Sequence, residues 1–175
     1  MRSFRSLSAD VGMLGWLWLS AVVVAVDQLT KWMAEANLEL HDPVAVFPHL
    51  NVMLAYNEGA AFSFLAGMGG VQRWIFATLA IVVSAFIINW LRKLRKEQVW
   101  AAIGLALVLG GAIGNLIDRL LYGKVIDFID FYLNFNVPLL LNNGHFATFN
   151  VADIAITIGA VLLVFLSLFN SDQME

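Results

Sequence analysis

The chain has 175 residues, the size of one domain, and 61% of them are hydrophobic while 13% are charged. A soluble domain holds about half and a quarter, so this much apolar side chain exceeds what a small core can enclose and the excess must face lipid. A net charge of −3 argues against a nucleic-acid partner, and the absence of cysteine excludes disulfides, thiolate catalysis and cysteine-ligated metals.

In chain order, the first apolar run covers about Val11 to Trp32 and is long enough to cross roughly 30 Å of hydrocarbon. A cleaved signal peptide is a rival reading, because Arg2 and Arg5 precede the run and Ala34-Glu35-Ala36 has a small-x-small form. The length of the run, with Asp27 and Lys31 near its end, favours a retained span. Residues 33–70 then form a loop with two strand-like runs, Val44 to Phe47 and Val52 to Tyr56, separated by Pro48. Asn57-Glu58-Gly59 makes a turn before Ala60-Ala61-Phe62-Ser63-Phe64.

Further spans are expected over about 71–91, 99–117 and 151–169. The link between the second and third, Arg92 to Gln98, is strongly basic, whereas Met33 to Gln72 holds four acidic residues and no Lys or Arg. The positive-inside rule places this link and both termini in the cytoplasm and the loops 33–70 and 119–150 outside. In the second loop, Val137 to Leu141, Asn142-Asn143-Gly144 and Phe146 to Phe149 read as strand, turn, strand. The expected fold is an all-α membrane protein: one integral domain over 1–175, four transmembrane helices and a small β platform built from the outer loops.

Charge inside a bilayer costs several kcal/mol and marks function by default. Asp27, Lys31, Asp118, Arg119, Asp127 and Asp153 fall in or beside the spans, and the topology brings all six to one depth near the outer boundary. Asp27 and Lys31 share a helix face and can pair, with Lys31 read as snorkelling toward the headgroups. Asn115, Asp118 and Arg119 share another face. There Gly110, Gly111 and Gly114 permit close approach of a helix or a substrate backbone. Asn150 and Asp153 can be read simply as a cap and a first-turn acid of the last helix. Asp127 has no such structural excuse among Val125, Ile126, Phe128 and Ile129. Asp130 is a rival in the same stretch, but it lies three residues on and is read as facing outward.

No Gly-x-Ser-x-Gly elbow or His-Glu-x-x-His motif is present, and His41, His49 and His145 are scattered in loops. What remains is a carboxylate pair. Two neighbouring Asp groups resist double ionisation, so one holds a proton while the other serves as base. Such a pair activates water with no cofactor.

At these residues the chain resembles the lipoprotein signal peptidases (signal peptidase II). The likeness runs through Val26-Asp27-Gln28-Leu29-Thr30-Lys31 and Tyr56-Asn57-Glu58-Gly59-Ala60-Ala61-Phe62-Ser63. It continues in Gly110 to Arg119, Val125-Ile126-Asp127-Phe128 and Phe149-Asn150-Val151-Ala152-Asp153. The chain departs from the family's pattern at Ala147-Thr148, at Ile154 and in a longer 134–145 stretch. The resemblance implies an aspartyl endopeptidase of the bacterial inner membrane, with its site at the periplasmic face. Its substrates would be prolipoproteins carrying a lipidated lipobox cysteine, met in membrane lipid by a monomer. It implies Asp127 and Asp153 as the catalytic dyad, with Asp27, Asn57, Asn115, Asp118, Arg119 and Asn150 supporting the dyad or holding substrate. The alternative is a small ion or proton transporter with charges lining a path; such a path would place charges at several depths.

Overall fold

The computed structural model describes residues 12–59, 70–133 and 145–170. Among the described residues, four α-helices, α1 (Leu17–Asn37), α2 (Val71–Lys93), α3 (Val99–Tyr122) and α4 (Val151–Phe169), accompany a three-stranded sheet that contacts α1 and α3. Three of them, α2, α3 and α4, are long and apolar enough to cross a membrane. Helix α1 has the length but carries Asp27, Lys31 and Glu35. It starts later than the first expected span and runs five residues past it; the other three begin where the sequence predicts. Helix α3 ends at Tyr122, so Asp118 and Arg119 lie inside its last turns rather than beyond its end.

The helices meet along glycines. Helix α3 packs against α1, α2 and α4. A Cβ at Gly110 would stand 2.7 Å from Val23 Cβ of α1, one at Gly111 would strike the Ala152 carbonyl of α4, and one at Gly114 would stand 2.6 Å from Asp27 Oδ2. These glycines therefore serve helix packing, not substrate approach. Ile87, Leu91, Leu105, Leu109 and Leu166 form a buried cluster at the end of the bundle away from the sheet. Large apolar side chains on the outer faces stay exposed, including Trp18, Val22 and Leu29 on α1, Leu79 and Phe86 on α2, and Val161 and Phe165 on α4. In water such rows would drive aggregation, and in lipid they are the solvated face.

The sheet comprises β1 (Val44–Phe47), β2 (Leu50–Asn57) and β3 (Val125–Phe131), antiparallel throughout in that order. Pro48 and His49 turn β1 into β2, His49 with φ 68°, the geometry of a turn with Pro first and a left-handed second residue. The first-loop strands were legible in the sequence. The third strand lies elsewhere than expected: it is Val125–Phe131, while Phe146 to Phe149 forms only isolated bridges from Phe149 to Ile129 and, just before it, from His145 to Tyr132. Two aspartates interrupt the apolar run of β3 and disguise it as a loop. The expected strand over 137–141, the turn 142–144 and the segment 60–64 lie outside the described residues.

Candidate active site

The site is assembled where β3 crosses between the ends of α1 and α3 and the start of α4. Pairing of β2 with β3 sets Ala55 opposite Asp127 and Asn57 opposite Val125. Asp127 is 1% exposed and accepts hydrogen bonds from the side chains of Asn57 and Asn150, the latter at 2.7 Å. Asn57 is itself held by the turn it closes, its Oδ1 accepting from Gly59 N at 2.9 Å.

Asn150 is the N-cap of α4 and forms a reciprocal capping box with Asp153. Its Oδ1 accepts from Asp153 N at 3.0 Å, and Asp153 Oδ2 accepts from Asn150 N at 3.2 Å. The capping role read from sequence is therefore real, and it coexists with a second one. Asn150 Nδ2 faces Asp127, so one side chain fixes the backbone beneath Asp153 and touches the other carboxylate.

Asn115 of α3 completes the frame. Its Nδ2 donates to Asp153 Oδ1 at 2.8 Å, while its Oδ1 accepts from Lys31 Nζ at 3.0 Å and from Asn150 Nδ2 at 3.1 Å. Lys31 is also within 2.8 Å of Asp27 Oδ2 and of Asp118 Oδ2. Each aspartate braces a further backbone: Asp27 Oδ1 accepts from Ala152 N at 2.9 Å, and Asp118 Oδ2 from Ile126 N at 3.2 Å. The three-residue cluster thus ties the first turn of α4 and the residue before Asp127 to α1 and α3.

Two expectations are corrected here. Lys31 does not snorkel: it is 1% exposed and is the cation at the centre of the network. Pairing along one helix reveals Asp27 but not Asp118, which arrives from α3 with a second negative charge. Nor does Asp130 face solvent. It is 1% exposed, accepts from Asn51 Nδ2 at 2.8 Å and contacts His145 Nδ1 at 2.9 Å. On the face of β3 opposite Asp127, the side chains of Asn51 and His145 cover the Asp130 carboxylate. Lys31 and Gln28, whose Nε2 donates to Asp118 Oδ1 at 2.8 Å, join this network although the family resemblance assigns neither a role. Both lie in the Val26 to Lys31 box.

Arg119 donates from Nη1 to the Asn115 carbonyl at 3.2 Å and lies over the Phe76 ring at 5.2 Å. Its charge acts on Asp153, Asp127 and Asp118. All eight of the singled-out residues therefore belong to one connected group. Burial and the neighbouring Asp153 carboxylate push the Asp127 carboxyl up to about 7, against the Asn57 and Asn150 hydrogen bonds and the Lys31 charge, which pull it down. Beside Asp153 a cleft of ≈ 330 Å³ is lined by Phe146, Phe149, Ile154, Thr157 and Ile158, which gives a carboxylate an apolar approach from the α4 face.

Comparison with known proteins decides the family. The family model described as signal peptidase (SPase) II matches residues 19–169. The chain belongs to the signal peptidase II family. It is similar to the lipoprotein signal peptidase of Hydrogenovibrio crunogenus, at 50% identity over 147 residues, covering 84% of this chain and 81% of that one. The lipoprotein signal peptidase of Pseudomonas syringae pv. tomato is 49% identical over 167 residues, covering 95% and 92%. Two bacterial membrane enzyme structures, solved by the in meso method at 2.3 and 1.9 Å resolution, superpose with a TM-score of 0.76 at 29% identity. Each covers 93% of this chain, which in turn covers 93% and 98% of theirs. The chain is therefore an aspartic-type peptidase and a multi-pass membrane protein, and the likenesses offer nothing to the transporter alternative.

Proposed function

We propose that this signal peptidase II releases the signal peptide of diacylglyceryl-modified prolipoproteins by water attack, with Asp127 and Asp153 as its catalytic pair. The observation that carries the reading is Asn150, which holds both carboxylates at once. Asp127, desolvated and raised to about 7, is the member that keeps a proton near neutrality. Asp153 receives two donors, Asn115 Nδ2 and Asn150 N, which hold its carboxylate in place.

Asp153 takes a proton from water as the oxygen attacks the scissile carbonyl carbon, and Asp127 gives its proton to the carbonyl oxygen. Collapse of the tetrahedral intermediate passes a proton to the departing amine, breaks the C–N bond and leaves a carboxylic acid and a free amine. Arg119, within range of both carboxylates, steadies negative charge on the intermediate. Asp27, Lys31 and Asp118 position the pair without touching it, and Asn115 orients Asp153 through its bond to Oδ1.

The same reading includes four spans in one integral domain over 1–175. It supports α1 as the fourth that its outer row of Trp18, Val22 and Leu29 is exposed while Asp27 and Lys31 point inward. The basic link Arg92–Lys96 lies in the cytoplasm and the sheet at the periplasmic face of the inner membrane. Purified protein in detergent micelles should cut a diacylglyceryl-modified prolipoprotein, leave the unmodified precursor intact and keep its rate in a strong chelator. Equal cutting of both precursors, or a rate lost to chelation and restored by zinc, overturns the reading.

A further inference from the structure

A second polar pocket opens beside the Asn57 turn, at the same end of the helices as Asp127. It measures ≈ 210 Å³ and is lined by Glu58, Gly70, Gln72, Arg73 and Gly123. Gln72 is 6% exposed, and among the described residues its Oε1 has no hydrogen-bond partner; neither has the buried Nε of Arg73. A buried unpaired polar atom costs about 1–3 kcal/mol, so two on adjacent residues of one pocket point to a ligand that satisfies both.

The pair defines the ligand's chemistry. Gln72 Oε1 needs a donor and Arg73 Nε needs an acceptor. A phosphate or carboxylate supplies no donor and meets the Glu58 carboxylate, and a metal cation meets the guanidinium. A peptide group offers N–H and C=O together. Arg73 is already oriented for it, since Nη2 donates to the Leu120 carbonyl at 2.7 Å and the guanidinium lies 4.9 Å from the Trp74 ring. Gly123, with φ 78°, keeps the space open: a Cβ there would stand 3.3 Å from Arg73 Nη1. The pocket also adjoins the catalytic pair, because a Cβ at Gly59 would stand 3.5 Å from Gln72 Cγ, Gly59 N donates to Asn57 Oδ1, and Asn57 donates to Asp127.

We propose that Gln72 and Arg73 form a peptide-binding subsite that grips a backbone amide of the extended mature segment following the cleavage position. The inference rests on the peptidase reading above. The apolar part of a signal peptide lies in the bilayer as a helix whose backbone groups are internally satisfied. Only the extended stretch outside the membrane has amides to offer.

The test compares two synthetic diacylglyceryl lipopeptides, one ending at the lipid-bearing cysteine and one extended by several residues. For wild-type protein the extension should lower KM about tenfold, the effect of two ordinary hydrogen bonds, with kcat unchanged. In Gln72→Met and in Arg73→Lys most of that advantage should vanish while the short substrate is cut as before. Extended substrates N-methylated at one amide at a time probe the intact protein as well: one position should raise KM to the short-substrate value. No effect of extension on wild type, equal losses on both substrates in the variants, or no sensitive amide overturns the subsite. Failure to cut either lipopeptide instead overturns the peptidase reading.

Discussion

Asn150 Nδ2 lies 2.7 Å from Asp127 Oδ1, and this bond joins the cap of one helix to a carboxylate on a strand from another part of the chain. It also sets a pH dependence. Asp127, raised to about 7 from an ordinary 3.8, must keep its proton to act as the acid. Accordingly, kcat/KM should fall as pH rises through about 7. A profile measured from pH 5.5 to 9 that stays flat above 6 would remove Asp127 from that role.

The same shift bears on stability, with an opposite benefit. Asp127 has a folded value above its unfolded one, so its contribution is fully present below 3.8 and lost as pH rises through about 7. Asp127→Asn removes the penalty while keeping an acceptor for Asn150. The variant should be the more stable protein at pH 8, by on the order of a few kcal/mol, and near parity at pH 4. Thermal melting in detergent at the two pH values measures this, and a variant no more stable at pH 8 than wild type contradicts it.

Lys31 neutralises part of a cluster in which Asp27 and Asp118 are both 0% exposed. Lys31→Met leaves two buried carboxylates without their cation and should cost about 3–5 kcal/mol. The measurement is the melting temperature of the purified variant beside an exposed control, Lys96→Met. Similar melting for both would show that Lys31 is not the structural cation.

The common site requires the sheet and the basic link to lie on opposite sides of the membrane. Single cysteines in this cysteine-free chain read the sides with a membrane-impermeant thiol reagent. Glu58→Cys, exposed beside the sheet, should label in intact spheroplasts. Lys96→Cys, exposed in the link, should label only after lysis. Gln98 is unsuitable because it is buried, with its Oε1 accepting from Arg95 N at 2.6 Å. Labelling of Lys96→Cys first would invert the molecule.

Much of the site was legible because charge in an apolar chain is costly and therefore informative. Asp127 between Val125-Ile126 and Phe128-Ile129, and Asn150 three residues before Asp153, announce themselves locally. What local spacing hides is the partner from another element. The i,i+4 rule finds Asp27 for Lys31 but cannot see Asp118 on α3, so Lys31 reads as a snorkelling residue. Asp130 reads as outward because it lies three residues beyond Asp127, yet Asn51 and His145 cover it. Strand β3 is hidden in the sequence for a related reason: its two aspartates are satisfied by Asn57, Asn150, Asn51 and His145, contacts that exist only in the folded chain.

The most direct measurement of the central claim is the cleavage rate of a diacylglyceryl-modified prolipoprotein by Asp127→Asn, Asp153→Asn and the double variant, each confirmed folded by melting. On the proposed mechanism the two carboxylates form one acid–base unit, so each single variant should lose activity by at least about a thousandfold, and the double variant should be scarcely worse. Substantial turnover by either single variant, or losses that multiply in the double, would contradict the assignment of Asp127 and Asp153 as the catalytic pair.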